Sequence, residues 1–213
     1  MINNHSRYYF FHIFNKSIAG FNIFQKTDCS QRFIELLDYY NNQIVLTKFS
    51  LAKQKNLYKY TSLLSFNNDR SIKIISFCIM PDHYHLLIKT DSIEKLSKLI
   101  SDVENSYTRY FNIRFRRKGP LWQSRYKKVG IHTNQQLLHV SRYIHLNPST
   151  KRLVDKLEKW EYSSYRSLIN DPYWLKDVLT EISISSPNAY RKFVEDNKDY
   201  QITLRNIKKL LFD

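Results

Sequence analysis

The sequence predicts an α+β fold of the ferredoxin-like type, with a split β-α-β arrangement around a central antiparallel sheet. Segments rich in β-branched and aromatic residues alternate with segments of helical spacing, in the order β-α-β-β-α-β-α. Pro81 and Asp82 alone separate the second strand from the third, which favours a tight antiparallel connection. From about residue 149 onward the pattern is helical, which predicts a helical C-terminal appendage on this fold.

The N-terminal part of the chain predicts one strand followed by one helix. The strand covers residues 7–15, RYYFFHIFN, where aromatic and β-branched residues dominate. Asp28 and Gln31 resemble an N-cap pair, and the helix that they introduce covers residues 32–40. Residues 41–70 are compatible with one further helix or with two short pieces.

The central part predicts two paired strands and a long helix. Residues 71–80 are largely apolar, as expected of a buried strand, and residues 83–90 form its partner. Asp91 and Glu94 mark the start of the helix, and the basic segment 114–120 ends it. The apolar residues that keep the helical spacing are Ile93, Leu96, Leu99, Ile100, Val103, Tyr107, Tyr110 and Phe111.

A last strand and a last helix complete the predicted order. Residues 124–133 form the strand, and Thr133 with Gln136 gives a capping-box pattern at the start of the helix. The helix covers residues 134–147 and is expected to stop at Pro148, because proline removes a backbone donor and disfavours continuation.

The chain is strongly basic, which points to a polyanionic partner. It has 34 Lys and Arg residues against 19 Asp and Glu residues, a formal net charge of +15, in 213 residues. Phosphate backbones attract such a surface and release counterions on binding, so a nucleic acid is the expected partner. The three glycines, Gly20, Gly119 and Gly130, are too scattered for a phosphate-binding loop, so no nucleotide cofactor is predicted.

Cysteine usage and hydropathy indicate the compartment. Cys29 and Cys78 lie far apart and outside any metal-binding spacing, which predicts a reducing environment without disulfides. The N-terminal sequence MINNHSRYYFFHIFNKS lacks the basic and apolar regions of a signal peptide. No apolar run approaches the length of a membrane span, so we expect a cytoplasmic protein without a membrane partner.

The clearest candidate site is the pair His83 and His85 in the segment MPDHYHLLI. On a strand, residues two apart project from the same face, so both imidazoles point together and Tyr84 points away. Two adjacent imidazoles suit one divalent cation or one phosphate. The alternative is a pair of partly buried histidines whose hydrogen bonds are satisfied by neighbouring groups.

The last predicted helix can contribute further groups to the same site. Tyr143 and Asn147 are four residues apart and share one helical face, which His139 extends by a turn. Asn147 would supply an oxygen as a third metal ligand. Tyr143 would present a phenol oxygen for attack on a phosphodiester, forming a covalent phosphotyrosine that conserves the bond energy for rejoining. The alternatives are a core tyrosine and an ordinary asparagine at a helix end.

Several ordered segments resemble the motifs of a known family. They read MPDHYH at 80–85, SYTRYFNIRFRRKGPLWQSRYKK at 106–128, HVSRYIHLNP at 139–148 and WEYSSY at 160–165. These segments are similar to those of the HUH single-tyrosine transposases, above all the REP-associated tyrosine transposase branch. The resemblance runs from about residue 7 to residue 170 and implies a ferredoxin-like fold of the HUH-endonuclease type.

The resemblance implies a role for each candidate residue. His83 and His85 would be the metal ligands, Asn147 would take the place of the third polar ligand, and Tyr143 would be the nucleophile. The implied cofactor is a divalent metal, Mg²⁺ or Mn²⁺. The implied reaction cleaves DNA with formation of a 5′-phosphotyrosine and a free 3′-hydroxyl.

The resemblance also implies an organisation and a substrate for the chain. Residues 1–148 would form the transposase catalytic domain, and residues 149–213 a helical extension packed on the same domain. The substrate would be single-stranded or hairpin DNA, and the active site would be completed within a monomer or across a homodimer. Tyr107 and Tyr110 are rival nucleophiles, although their helix face looks structural.

The segment from Glu104 to Lys128 is the expected DNA-binding region. It interleaves eight basic residues with aromatic ones, against a single acid, as in proteins that bind single strands. The alternative is a solvated helix end and hairpin tip, with Trp122 in a small satellite core. The candidate DNA-binding residues are Arg109, Arg114, Arg116, Arg117, Lys118, Trp122, Arg125, Lys127 and Lys128.

Three other functions fit parts of the sequence. A domesticated, non-catalytic protein that binds DNA hairpins would share the charge and aromatic pattern, but it would need neither the histidine pair nor Tyr143. A metal-dependent hydrolase would use water and form no covalent adduct. An RNA-binding protein would use the same stacking and charge. Our prediction is a metal-dependent, single-stranded DNA endonuclease and strand transferase.

Overall fold

One four-stranded antiparallel sheet forms the centre of the computed structural model, which describes residues 8–64, 70–170 and 181–197. Its strands are β1 (Tyr9–Lys16), β2 (Lys73–Ile79), β3 (His83–Thr90) and β4 (Lys127–Ile131). The strand order is β2-β3-β1-β4, and each neighbouring pair is antiparallel. The first strand therefore lies between the third and the fourth, as in split β-α-β folds, and the predicted fold class is confirmed.

Helices cover both faces of this sheet. None of the described helices is long and apolar enough to cross a membrane. Within the described residues, single 3₁₀ turns lie at Ile18–Gly20 and Leu157–Lys159. The α-helices are α1 (Thr27–Tyr40), α2 (Phe49–Gln54), α3 (Ile93–Arg114), α4 (Asn134–Thr150), α5 (Tyr165–Asn170) and α6 (Pro187–Glu195).

The alternation of side chains along β3 assigns a different environment to each face of the sheet. Tyr84 projects toward α1 and α3, where its ring lies 4.9 Å from that of Phe33. Its hydroxyl donates to Glu104 Oε1 at 2.8 Å, so the partner that this fully buried hydroxyl requires is present. His83 and His85 project to the opposite face, and α4 contacts β2 and β3 there.

Two predicted helix starts are wrong in detail. α1 begins at Thr27, and Asp28 lies inside its first turn, where it pairs with Arg114. A carboxylate in the first turn is stabilised by the partial positive charge of the helix N-terminus, so Asp28 marks the helix without capping it. α3 is capped by Ser92, whose side chain accepts from the Lys95 N–H at 3.2 Å.

The last predicted helix starts as expected but ends later. The Thr133 side chain accepts from the Gln136 N–H at 3.1 Å, which confirms the cap. α4 then continues past Pro148, where the sequence predicted its end. Proline removes only its own N–H, and the Lys151 N–H still donates to the Asn147 carbonyl at 3.0 Å. The last turn is buried, so packing offsets the bond that the proline removes.

Two other segments are less regular than the sequence suggests. Residues 41–70 contain one short helix, α2, and residues 65–69 lie outside the described part of the chain. The strand predicted at 124–133 forms only over the residues of β4. Ser124 precedes β4, and its carbonyl accepts a hydrogen bond from the Asn15 side chain at 3.0 Å. This bond takes the place of a backbone hydrogen bond between strands.

The described part of the C-terminal appendage packs against α4. The Tyr190 hydroxyl of α6 lies 2.6 Å from His145 Nδ1 and 2.5 Å from Ser141 Oγ, both on α4. On its other side the His145 ring lies 2.7 Å from Ser164 Oγ, just before α5. These buried contacts join α5 and α6 to the helix that carries Tyr143. The domain boundary after residue 148 stays a prediction.

Candidate active site

The two histidines of β3 form the centre of the candidate site. The ring centroids of His83 and His85 lie 5.0 Å apart, with the ring planes at 89°. His83 Nδ1 lies 2.5 Å from Asp82 Oδ1, and His85 Nδ1 lies 2.9 Å from His12 Nε2. Each ring therefore has its Nδ1 atom engaged by a neighbouring side chain, and Nε2 is the nitrogen that remains for another ligand.

Burial keeps these imidazoles neutral near pH 7. It lowers the pKa of His83, although the hydrogen bond to Asp82 acts in the opposite direction. It lowers the pKa of His85 well below the usual value, and the neighbouring His83 and His12 add to the effect. Burial also lowers the pKa of His12 to about 4. Neutral imidazole is the form that binds metals, so the protonation state is the one that a metal site requires.

Asp82 connects the histidine pair to two lysines. Its carboxylate lies 3.4 Å from Lys16 Nζ and 3.5 Å from Lys151 Nζ. Burial alone raises the pKa of Asp82, but the hydrogen bond to His83 and the two lysine charges hold that pKa well below its usual range. The ionised carboxylate accepts the Nδ1–H of His83 and so favours the tautomer whose Nε2 is free.

The helix α4 carries Tyr143 to the histidines of the same chain. Its ring centroid lies 5.5 Å from that of His85, with the planes at 81°, and 6.0 Å from that of His12. Tyr143 keeps 41% of its surface exposed, so a large ligand can reach it. Burial of the rest raises the pKa of the Tyr143 phenol, and a hydrogen bond from the Asn147 side chain opposes the rise.

The two residues one turn away from Tyr143 are placed differently. Asn147 is buried, and its Nδ2 donates to the Tyr143 carbonyl at 2.9 Å, so the amide oxygen is the atom that suits a metal. His139 turns toward α6, with its Nδ1 2.7 Å from Arg142 Nη2 and its ring 6.0 Å from that of Phe193. The site therefore does not extend to His139, because the ring is held by the appendage.

The rival tyrosines lie behind the sheet. Tyr107 is fully buried on α3, and its hydroxyl donates to the Ile23 carbonyl at 2.7 Å. Tyr110, one turn later, has its pKa raised to about 12, mainly by burial. α3 covers the face opposite the histidine pair, so the structure brings Tyr143 to His85 and leaves Tyr107 and Tyr110 away from it.

A cavity of about 270 Å³ opens beside the histidine pair. Lys127 of β4 stands opposite Phe14 of β1, and Phe14 stands opposite His85 of β3, so these three side chains share a face. Sequence reasoning did not predict that Lys151 lines this cavity, although Lys151 follows Tyr143 by eight residues. The chemically active lining residues are His83, His85, Tyr143, Lys16, Lys127 and Lys151.

The basic residues predicted to bind DNA do not form one surface. Arg109 and Arg114 line a larger cavity of about 1060 Å³ behind the sheet, between α1 and α3. Lys127 and Lys128 are neighbours on β4, so their side chains project to opposite faces, and Lys127 is the one that lines the cavity beside the histidines. The remaining predicted cations follow α3 in the connection to β4 and are Arg116, Arg117, Lys118 and Arg125.

Trp122 is partly buried and packs against the core behind the sheet. Its indole N–H donates to the Glu104 carbonyl at 3.3 Å. These contacts agree with the alternative that Trp122 is a packing residue. The rings whose centroids lie 5.7–6.1 Å from that of Trp122 are Phe24, Phe33, Tyr84 and Tyr107.

The donors of the site fit a divalent cation. Both histidines have Nδ1 engaged and Nε2 available. Asn147 is not among the residues that line the cavity beside them, and its Nδ2 donates to the Tyr143 carbonyl, so its place as a third ligand stays a prediction. Across the described ranges, no group of three His, Cys, Asp or Glu side chains is arranged to hold a metal ion. The amide oxygen of Asn147 is a ligand type that suits Mg²⁺ or Mn²⁺.

The chain is similar to known transposases. Residues 26–147 match the family model described as transposase IS200 like. A REP-associated tyrosine transposase from Haemophilus influenzae is 27% identical over 101 residues, which are 43% of this chain and 57% of that protein. The chain thus matches little more than half the length of this relative.

Two solved structures are also similar in outline. A REP-associated tyrosine transposase bound to a REP hairpin gives a TM-score of 0.49 at 14% identity, with 77% of this chain and 79% of that chain covered. A transposase from Deinococcus radiodurans gives a TM-score of 0.38 at 13% identity, with 66% and 92% covered.

Proposed function

This chain belongs to the family of IS200-like transposases, and on that premise we propose that it cuts and rejoins single-stranded DNA with Tyr143 as its nucleophile. The observation that carries the proposal is the packing of the Tyr143 ring on His85, 5.5 Å away in the same chain. The relative from Haemophilus influenzae supports the narrower assignment to the REP-associated branch.

The proposed reaction is a transesterification at one phosphodiester. The Tyr143 oxygen forms a bond to phosphorus while the bond from phosphorus to the 3′ oxygen breaks. The phenol loses its proton and the departing 3′ oxygen gains one, which leaves a 5′-phosphotyrosine and a 3′-hydroxyl. A divalent cation bound by His83, His85 and Asn147, Mg²⁺ or Mn²⁺, would withdraw charge from the scissile phosphate. Attack by another 3′-hydroxyl reverses the step and joins strands without a nucleotide cofactor.

Lysines around the cavity would hold the phosphate for this attack. Lys16, Lys127 and Lys151 line it together with the histidines and Tyr143. Fixed positive charges that meet developing negative charge stabilise a phosphoryl transition state, and they do so more strongly where water is partly excluded. Their positions on β1, on β4 and directly after α4 support an approach of the DNA strand from the side of the sheet that α4 covers.

The remaining cations would bind DNA away from the cleaved bond. Those between α3 and β4 are exposed or partly exposed at one end of the sheet, next to the strand that contributes Lys127. We infer a substrate with a duplex hairpin and a single-stranded flank, the hairpin on the exposed cations and the flank in the cavity. A cytoplasmic location and action as a monomer belong to the same proposal, with a homodimer as its alternative.

The test is a cleavage assay on labelled hairpins taken from the DNA that flanks the gene. Purified protein is incubated with 5′- or 3′-labelled strands, with and without Mn²⁺, and denaturing gels are examined for a covalent protein–DNA adduct. We expect a metal-dependent adduct that Tyr143→Phe abolishes and that the matched variant Tyr110→Phe retains. An adduct that survives Tyr143→Phe would contradict the assignment of the nucleophile.

The same assay separates the other candidate functions. Tight hairpin binding without an adduct under either metal would identify a domesticated DNA-binding protein. Metal-dependent cleavage that leaves free ends and no adduct would identify a hydrolase that uses water. Stronger binding to the RNA version of the hairpin would identify an RNA-binding protein.

A further inference from the structure

A third histidine, His12, contacts the proposed metal ligand His85 from β1. Its Nε2 lies 2.9 Å from His85 Nδ1, and the two ring centroids lie 5.1 Å apart with the planes at 24°. In the register of the sheet, Phe14 stands directly opposite His85, and His12 lies two residues along β1 on the same face. The contact joins positions 73 residues apart in the sequence.

Only one arrangement of protons in this contact leaves His85 able to bind a metal through Nε2. A neutral imidazole has one nitrogen that donates and one that accepts. If His85 donates Nδ1–H to His12, its Nε2 carries a free lone pair. If His12 donates instead, His85 accepts at Nδ1 and its own Nε2 carries the proton. The other proposed ligand, His83, also has an acceptor at its Nδ1, because the Asp82 carboxylate lies 2.5 Å from it.

We propose that His12 is a positioning residue that accepts the Nδ1–H of His85, and thereby fixes the tautomer and ring orientation in which His85 Nε2 faces the metal. This inference rests on the proposed metal site at His83 and His85. Histidine ligands in metal sites generally donate their second N–H to a carboxylate, a carbonyl or water, and loss of that partner typically weakens metal binding about 10–100-fold. Here an imidazole takes that role for one ligand and a carboxylate for the other.

The surroundings of His12 allow its hydrogen bond to be separated from its packing. Its ring centroid lies 4.9 Å from that of Phe14 and 6.0 Å from that of Tyr143. A phenylalanine at this position keeps a flat ring against both neighbours and removes both ring nitrogens, including the Nε2 that faces His85. A purely structural role for His12 therefore predicts that His12→Phe is tolerated.

The first experiment measures Mn²⁺ affinity without DNA, from the EPR signal of the free ion. We expect His12→Phe to bind Mn²⁺ about 10–100-fold more weakly than the wild-type chain. The matched control is His132→Phe, which changes an exposed histidine outside the cavity and should leave the affinity unchanged. An unchanged affinity in folded His12→Phe would overturn the proposal.

The second experiment reads the tautomer directly in the metal-free protein. Long-range ¹H–¹⁵N NMR distinguishes a protonated Nδ1 from a protonated Nε2, and the His85 signals are assigned by their loss in His85→Gln. We expect a protonated Nδ1 in the wild-type chain and a change in the tautomer population in His12→Phe. A protonated Nε2 on His85 in the wild-type chain would contradict the proposed direction of the hydrogen bond.

Together the two experiments separate this inference from the proposed function. If the wild-type chain binds no Mn²⁺, or if His85→Gln binds it as well as the wild-type chain, the proposed metal site is wrong. In that case the NMR measurement still decides whether His12 accepts from His85. If the wild-type site binds Mn²⁺ and His12→Phe binds it equally, only the inference about His12 fails.

Discussion

The ring of Tyr143 packs edge-on against the ring of His85, with the planes at 81° and the centroids 5.5 Å apart. The two residues meet within one chain because α4, which follows β4, packs over β2 and β3. The helix is held there by buried hydrogen bonds to α6. The candidate nucleophile and the candidate metal ligands are thus brought together without a second subunit.

This relationship predicts that the active site works in cis. Equal amounts of Tyr143→Phe and His85→Ala are mixed, and the cleavage assay is repeated on the mixture. Each variant lacks one half of the site, so a chain that uses its own helix cannot be rescued by the other variant. We therefore expect no adduct. Adduct formation in the mixture would show that α4 serves the histidines of a partner chain.

The contact between α4 and α6 predicts a loss of stability in Tyr190→Phe. The variant removes a hydroxyl that lies within hydrogen-bond distance of both His145 and Ser141, and all three groups are buried. Leaving a buried polar group without a partner costs about 1–3 kcal/mol. Urea unfolding should show this decrease in the free energy of unfolding, while Tyr9→Phe, on a half-exposed ring, should show little change.

The buried carboxyl of Glu104 predicts a pH-dependent effect of Glu104→Gln. Burial raises the pKa of Glu104 to about 7, although hydrogen bonds from Asn15 and Tyr84 oppose the rise. An unfolded glutamate ionises near pH 4.3, so above that pH the unfolded chain binds fewer protons than the folded chain. The stability contributed by the protonated carboxyl is therefore lost as the pH rises toward 7, and it stays lost above 7.

Glutamine at position 104 keeps an oxygen acceptor and carries no charge. We expect Glu104→Gln to raise the free energy of unfolding at pH 8 by roughly 1–3 kcal/mol relative to the wild-type chain, and by much less at pH 5. Urea unfolding at both pH values measures this, with exposed Glu161→Gln as the control. Equal effects of Glu104→Gln at the two pH values would mean that the carboxyl is not the cause.

The lysines of the cavity predict a measurable salt dependence. If Lys127 contacts a DNA phosphate, a variant without the Lys127 charge releases fewer counterions on binding DNA than the wild-type chain does. We expect Lys127→Gln to reduce the slope of log affinity against log salt by about 0.7, the value for one phosphate of a single strand. The control is Lys156→Gln, an exposed lysine outside the cavity. A slope that falls equally in both variants would indicate a general charge effect.

Local patterns were sufficient to predict much of the fold and the central pair of the site. Side chains alternate along a strand and recur every three to four residues along a helix, so the shared face of His83 and His85 and that of Tyr143 and Asn147 followed from spacing. The split β-α-β fold class followed from the order of elements along the chain, because few topologies accommodate that order. These features depend on residues that are neighbours in the sequence.

The sequence was least informative where burial decides the role of a residue. Trp122 lies among eight basic residues, and composition favoured DNA contact as much as packing. In the structure its indole is one of a group of core rings and donates to the Glu104 carbonyl. The end of α4 is a similar case, since Pro148 predicts a stop and the packing of the last turn keeps the helix intact.

The sequence by itself therefore determined the α+β order, the histidine pair and the helix face that carries Tyr143, because backbone geometry fixes which near neighbours share a face. Only the tertiary structure decided which distant groups meet them. The register between β1 and β3 brings His12 to His85, and the course of α4 brings Lys151 to Asp82. Such contacts depend on how whole elements pack, and no local spacing in the sequence encodes that packing.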